Sequence, residues 1–365
     1  MTPKIVMDVS SIQYGRGVSR YTKNLFSALS KRKTIEMYAL GASLRKYQIL
    51  RAELQGTPAK NNHLFPIPDR VLKSMWKYGV MTPDRIIRDP SLFHAWEYLP
   101  HTLRIPYVVT IHDLAMLRFP KSAHPVLLKT HQIIWDRIKK DHAHVIAVSQ
   151  ATKNDCVELL QLDDSKIHVV YEALPKEQRI VPTKDDILKT KKKFQIEKPF
   201  IFFLGTQEPR KNVLQLIEAW KDMKKEFDLV IGGAKGWEKM PVEKGIHYVG
   251  YLDPKDSASL YRSASVFAYP SLYEGFGLPM LEAWFHNVPV VSSKTPALVE
   301  VGGNAVVQVD QDDPHSISAG ILQAVEQRAT LVKKGTARLT QFSWDRAAEE
   351  TELVYRAILQ GKNST

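Results

Sequence analysis

The feature that most restricts how this chain can fold is a repeated one: short runs dense in Val, Ile, Phe and Tyr, each followed by a helical stretch or a glycine-containing loop. KIVMDVS, PYVVTIH and HVIAVS in the first half, and PFIFFLG, DLVIGG, IHYVG, SVFAYP, VPVVSS and AVVQV in the second, have the length and apolar continuity of strands buried on both faces. Between them Val18, Tyr21, Leu25 and Leu29 recur at helical spacing, and residues 126–139 and 151–160 read as helices. This alternation predicts parallel sheets joined by crossover helices, an α/β fold. It is interrupted once, at residues 173–193, which turn polar and lysine-rich with two prolines and predict a linker plus one helix. A chain of 365 residues suits two domains. The expected architecture is two Rossmann-like, doubly wound parallel-sheet domains facing a central cleft, over residues 1–173 and 174–342. SWDRAAEETELVYRAIL, a helix over 343–361 with a serine N-cap signal, is expected to pack back onto the first domain.

Charge divides unevenly between the halves. Residues 1–141 hold 23 Lys and Arg against 10 Asp and Glu, a net of +13, so the remainder of a chain with net +12 is at −1. A basic half invites a polyanion. No nucleic-acid recognition motif is present, so nucleic acid is not an expected partner. Residues 69–88 (DRVLKSMWKYGVMTPDRIIR) interleave bases with Trp76, Tyr78 and isoleucines, as an element resting on an anionic membrane would; an ordinary solvated basic face is the equal alternative. The single cysteine, Cys156, excludes an intrachain disulfide and fits a reducing compartment. No run of about 18 apolar residues occurs, and Asp8 interrupts any apolar signal core. The expectation is a cytoplasmic protein, with peripheral attachment to the inner face of the cytoplasmic membrane as the extension the basic half suggests.

Open parallel sheets bind ligands beyond the carboxyl ends of their strands, so the residues just after each strand carry the chemistry. Four places stand out. Gly15-Arg16-Gly17 follows the first strand, where glycines permit close backbone approach and the next helix can receive a phosphate; a simple tight turn is the plainer explanation. His112 and Asp113 follow PYVVTI at a strand end, in either a structural or a catalytic role. In GTQEPRKN, Gly205 and Thr206 close the strand, and Arg210 and Lys211 are expected to begin a helix. Cations there conflict with the helix dipole by about 0.3–1 kcal/mol, and an anionic ligand such as a diphosphate would relieve the conflict. In SLYEGFGLPMLEAW, Glu274 precedes Gly275 and Gly277, Pro279 suits a first helical position, and Glu282 is expected in the first turn. Two carboxylates flanking phosphate-binding amides match a ligand with hydroxyls at both ends, a nucleotide sugar. No acidic cluster of DxD type occupies a convincing site, so no metal and no other cofactor is expected.

These residues resemble those of the retaining glycosyltransferases of the GT-B fold, family four, particularly bacterial mannosyl- and related hexosyltransferases of surface-polysaccharide pathways. The resemblance covers nearly the whole chain through GRGVSRYTKNL, VVTIHDLAMLRFP, VIAVSQATKND, LGTQEPRKNVLQLIEAW and, most specifically, YPSLYEGFGLPMLEA. It implies that Glu282 binds the nucleotide ribose, that Glu274 lies by the transferred sugar, and that amides of Phe276, Gly277 and Leu278 contact sugar and phosphate. It implies further that Arg210 and Lys211 neutralise the diphosphate, that His112 contacts the donor sugar near the reacting carbon, and that Gly15 and Gly17 close over the phosphates. Thr206 stands where many members have arginine, and VVYEALP stands where VVYNGV is common. The implied activity is retaining, metal-independent hexosyl transfer, with GDP-mannose or alternatively a UDP-hexose as donor, bound by the domain over 174–342, and a glycan or lipid-linked saccharide as acceptor, bound by the domain over 1–173. An epimerase or phosphorylase on the same scaffold and a silent nucleotide-sugar-binding subunit are the rival classes.

Overall fold

The computed structural model describes residues 2–15, 17–57, 61–96, 99–100, 102–120 and 125–361. The chain divides into two compact units, one drawn from Met1–Glu172 with Ser343–Thr365, the other from Ala173–Phe342. Arg16, at the centre of the first glycine loop, lies outside the described residues.

The first unit is built on seven parallel strands: β1 (Lys4–Asp8), β2 (Glu36–Ala42), β3 (Asn61–Phe65), β4 (Leu92–Ala95), β5 (Tyr107–Ile111), β6 (His144–Ala147) and β7 (Ile167–Val169). Their order is β3-β2-β1-β4-β5-β6-β7, so the direction of winding reverses between β1 and β4. Four of these strands (β2, β3, β4 and β7) are absent from the sequence expectation, because EMYALGA, NNHLF, LFHA and IHV are short or carry polar residues among their apolar ones.

The helix Gly17–Leu29 follows β1 after a 3-10 turn at Ser10–Tyr14 and buries Tyr21, Leu25, Phe26 and Leu29. The helix Asp69–Lys77 buries Leu72 and Trp76 against one face of the sheet. Trp76 is therefore not an interfacial residue: it is 1% exposed, its indole N–H donates to the Met81 carbonyl at 2.8 Å, and its ring meets Phe93 edge-on. Ile87 is buried likewise, whereas Tyr78 remains 73% exposed.

The helix Trp344–Gly361 belongs to the first unit and packs along the helix Gly17–Leu29. Its buried side brings the Tyr355 hydroxyl to His94 Nδ1 at 2.6 Å. Its Glu352 carboxylate receives Arg32 Nε at 2.6 Å and the Thr34 hydroxyl at 2.5 Å. A buried charge is tolerated when it is paired and hydrogen-bonded, and Glu352 meets both conditions.

The second unit has six parallel strands: β8 (Phe200–Leu204), β9 (Asp228–Gly232), β10 (Ile246–Gly250), β11 (Val266–Tyr269), β12 (Val290–Ser293) and β13 (Val307–Val309). The order β10-β9-β8-β11-β12-β13 reverses between β8 and β11. FIFFL of β8 and DLVIG of β9 are buried almost throughout, as central parallel strands must be. The polar stretch that precedes β8 forms a 3-10 turn and the helix Lys184–Lys193, started by a reciprocal Thr183–Asp186 capping box. Among the described residues no helix is long and apolar enough to cross a membrane.

Candidate active site

In the second unit the winding reverses between β8 and β11, and the loops leaving these two strands carry the basic pair and the first glutamate. Arg210 and Lys211 do not begin a helix. They lie in a 3-10 turn, Pro209–Lys211, and Asn212 at φ 58° separates them from the helix Val213–Lys221. The cationic pair is thus spared the helix dipole. Asn212 stitches the two loops together: its side-chain amide donates to the carbonyls of Pro270 at 3.1 Å and Gln311 at 2.7 Å, and the Leu272 N–H donates to the Arg210 carbonyl at 2.8 Å.

The stitching delivers Glu274 to both cations. Lys211 Nζ donates to Glu274 Oε1 at 2.5 Å and to the Tyr269 hydroxyl at 3.2 Å. Arg210 Nη1 donates to Glu274 Oε2 at 3.2 Å and to the Tyr273 carbonyl at 2.8 Å, while its Nη2 meets Glu208 Oε1 at 2.7 Å. Side chains of the cluster are only 9–17% exposed. Burial by itself would raise the Glu274 carboxyl, but the charges of Lys211 and Arg210 outweigh it and hold the pKa down to about 2. The basic pair is therefore balanced by two carboxylates within the protein. A ligand with a diphosphate would meet donors already held in place, with Lys211 keeping further N–H capacity.

Glu282 does not fall in a first helical turn. Leu278 opens the helix Leu278–Phe285, Pro279 is its second residue, and Glu282 sits one turn on, 3% exposed. Gly277 caps this helix at φ 112°, a backbone conformation that strains any residue carrying a Cβ. Its position leaves the amide of Leu278 at the first turn without an intrahelical partner by geometry, a donor available to an anion. Beside β8, the neighbouring loop is closed by glycines. A Cβ on Gly233 (φ 119°) would lie 2.1 Å from the Gly205 carbonyl oxygen, and one on Gly236 would lie 1.9 Å from that of Gln207. Gly205 and Thr206 are held there by the ladder bonds Gly205 N to Gly232 O and Gln207 N to Ala234 O.

In the first unit His112 lies just beyond β5. The carboxylate it meets is Glu172 and not the adjacent Asp113, which instead accepts from the Ala115 N–H. His112 Nδ1 is 2.8 Å from Glu172 Oε1, and Glu172 is 5% exposed. In the tautomer that donates Nδ1–H to the carboxylate, Nε2 is the acceptor of the ring. Nε2 has no partner among the described residues, and Tyr21 packs edge-on at 4.6 Å between centroids. Glu172 had no assigned role in the sequence; the signal was present in VVYEALP, where a carboxylate stands three residues after β7. Gly15 takes φ 70°, and a Cβ on Gly15 or Gly17 would meet nothing within 4 Å, so this loop borders open space. Among the described residues no group of three or more His, Cys, Asp or Glu gathers as metal ligands.

Comparison with known proteins gives this arrangement a family. Residues 15–178 match Glycosyltransferase Family 4, and residues 184–338 match Glycosyl transferases group 1. The O-antigen chain mannosyltransferase B of Escherichia coli is 30% identical, with 97% of this chain and 100% of that protein aligned. The O-antigen chain mannosyltransferase RfbU of Salmonella typhimurium is 26% identical over 65% of each chain. Among solved structures, the sucrose-phosphate synthase of Thermosynechococcus elongatus superposes with a TM-score of 0.72 at 16% identity, covering 98% of this chain and 100% of its own. Anabaena Alr3699/HepE, solved in complex with UDP and glucose, gives 0.69 at 15% identity with full coverage of both chains. Two parallel-sheet units, their strand-end clusters and a full-length relative at this identity together place the chain in glycosyltransferase family 4, a glycosyl-transferring enzyme of the GT-B fold.

Proposed function

We propose that the protein is a retaining mannosyltransferase that moves mannose from GDP-mannose to a glycan or lipid-linked saccharide without a metal ion. The observation that carries this reading is the Arg210–Lys211–Glu274 cluster at the point where the second sheet reverses. Ligands of doubly wound sheets bind at that point. The names of several relatives as mannosyltransferases support the choice of sugar, and with it a guanosine diphosphate carrier.

In this reading Lys211, Arg210 and the amides at Gly205, Thr206, Phe276, Gly277 and Leu278 receive the diphosphate. Glu282 takes the ribose hydroxyls, and Glu274 lies against the mannose while keeping the two cations in place. Gly15 and Gly17 border the phosphates, and His112 Nε2 accepts from a hydroxyl of the donor sugar. The bond between the anomeric carbon and the diphosphate oxygen breaks with its electron pair leaving on that oxygen. The acceptor oxygen attacks the same face, and its proton passes to the departing oxygen. Cations held before the reaction stabilise the growing negative charge without reorganisation, the largest contribution such a site can make. Arg210 and Lys211 are the groups that would take the place of a metal ion at the departing diphosphate. For the basic first unit, with Tyr78, Val71 and Val80 exposed, the proposed surface partner is an anionic membrane. Co-sedimentation with vesicles that ignores their anionic lipid content would count against that partner.

The test is a thermal-shift panel with GDP, UDP, ADP and their sugar conjugates, followed by NMR of the product's anomeric configuration. A selective rise with GDP and GDP-mannose and an α-linked product are expected, because a ligand that binds only the native state raises its midpoint. A selective UDP response would overturn the donor, an inverted product would overturn retention, and no response to any nucleotide would overturn the enzyme assignment.

A further inference from the structure

The donor chemistry described above lies beyond the carboxyl ends of the strands. A separate cleft of about 340 Å³ opens at the opposite, amino ends of β5 and β6 in the first unit. Tyr107, which begins β5, lines this cleft, whereas His112 follows the other end of the same strand, roughly 16 Å away by the rise of an extended chain. None of the described lining residues takes part in the donor chemistry.

Separate stretches of chain bring basic side chains to its rim. Arg104 comes from the loop before β5, Arg137 from the last turn of the helix Pro125–Lys140, and His142 and His144 from the start of β6. The one carboxylate among the described lining residues is Asp141, and its Oδ2 already accepts from the Tyr107 hydroxyl at 2.9 Å and from Arg137 Nε. Arg104 is exposed and has no side-chain partner among the described residues. Behind the rim, His144 Nδ1 lies 2.8 Å from His168 Nε2, and Lys166 Nζ lies 3.5 Å from His144 Nε2. Burial lowers the His144 imidazole to about 4, and the charges of Lys166 and His168 add to the shift. An anion in the cleft opposes that positive potential.

Size and wall select the ligand. The volume falls at the lower end of the range of small-molecule sites, roughly 300–1,000 Å³. Leu103, Ile105 and Ile358 supply apolar surface, the last of them from the helix Trp344–Gly361. An arginine fork matches two oxygens of a phosphoryl group, and a phosphate ester sets a carbon body beside its charge. We infer that this cleft is a binding site for an organic phosphate, with the phosphoryl group between Arg104, Arg137 and His144 and the carbon body against Leu103, Ile105 and Ile358. Thr102, two residues before Arg104, lies against Gly79, between the exposed Tyr78 and Val80. The same chemistry can therefore arrive as the headgroup of a membrane lipid or as a phosphate ester in solution. The site stands whether or not the donor is GDP-mannose.

The experiment is isothermal titration of phenyl phosphate and of phenol into the full-length protein with GDP in excess, in wild type, Arg104→Ala and His144→Gln. Wild type should bind phenyl phosphate and not phenol. Arg104→Ala should weaken phenyl phosphate about tenfold, the loss of one charge-assisted contact, and His144→Gln should weaken it several-fold, with GDP affinity unchanged in both. Co-sedimentation with phosphatidylcholine vesicles, with and without phosphatidylglycerol, separates the two sources. Retention on phosphatidylglycerol that falls in Arg104→Ala assigns the phosphate to a lipid; retention unchanged by that substitution, with phenyl phosphate binding weakened, assigns it to a soluble ester. Phenyl phosphate bound equally by the three proteins, bound no better than phenol, or bound only when GDP is left out would overturn the site. So would a wild type that binds no phenyl phosphate and whose retention on vesicles ignores Arg104. Failure of GDP to bind would instead overturn the donor reading. Should His144→Gln fail to fold, Arg104→Ala, at an exposed position, carries the test alone.

Discussion

Glu274 and Asp8 are two buried carboxylates with opposite electrostatics, and they make opposite predictions. Glu274 is held at about 2, below its ordinary 4.5, so its paired form stabilises the fold above pH 4.5 and that contribution fades as pH falls toward 2. Removing one partner of a buried ion cluster typically costs about 3–5 kcal/mol, so Glu274→Gln should lower the unfolding midpoint at pH 7 and the deficit should shrink below pH 4.5. Chemical denaturation across pH measures this; an unchanged midpoint at pH 7 would contradict the pairing. Asp8 is raised from 3.8 to about 6, so its ionised form destabilises the fold above pH 6 and the cost disappears below pH 3.8. Asp8→Asn should therefore be stabilising at pH 8, by up to about 3 kcal/mol, and neutral near pH 4. Denaturation at the two pH values should show the gain only at the higher one.

At the scale of elements, a loop is shaped by what its backbone must pass. Gly233 leaves β9 at φ 119° with the Gly205 carbonyl where a Cβ would be. Gly233→Ala must push the β9 loop away from the β8 loop, and about 2 kcal/mol or more of stability should go with it. If the β8 loop carries the phosphate contacts, nucleotide affinity should fall by a larger factor than in a variant of equal instability elsewhere; calorimetric titration of the variant distinguishes the two.

Elements also separate what could be read from the sequence from what could not. Long apolar runs such as FIFFL and YVVTI declared themselves, because central parallel strands have no polar face. NNHLF and LFHA did not, since an edge strand and a four-residue strand depend on neighbours for their stability. Glycine and proline positions in YEGFGLPMLEA were legible as a strand-end loop that opens a helix. What was not legible was that Glu274 would turn to Lys211 and Arg210, or that His112 would find Glu172 sixty residues on, because side-chain pairing across a sheet is set by strand order. Trp76 was misjudged for the same reason: a basic helix with aromatics reads as a surface element until its tryptophan is seen to fill the core.

At the scale of the molecule, the first unit is discontinuous in sequence. Its helix Trp344–Gly361 buries Trp344, Val354 and Tyr355 and ties Glu352 to Arg32 and Thr34. A chain ending at Phe342 would expose that surface, take the Glu352 carboxylate from Arg32 and leave His94 with Thr110 alone. Scanning calorimetry should then show the transition of the first unit lost or strongly lowered and that of the second retained, because the core of the second lies wholly within Ala173–Phe342. Equal losses in both would contradict this division.

The central claim is that a nucleoside diphosphate is received by the cluster of Arg210, Lys211 and Glu274. Isothermal titration of GDP into the wild type and into Lys211→Ala tests it most directly. The account predicts binding by the wild type and a loss of about tenfold or more in the variant, the effect of removing a charge-assisted contact from a buried site, with the fold intact by circular dichroism. Equal affinity in the two proteins would contradict it.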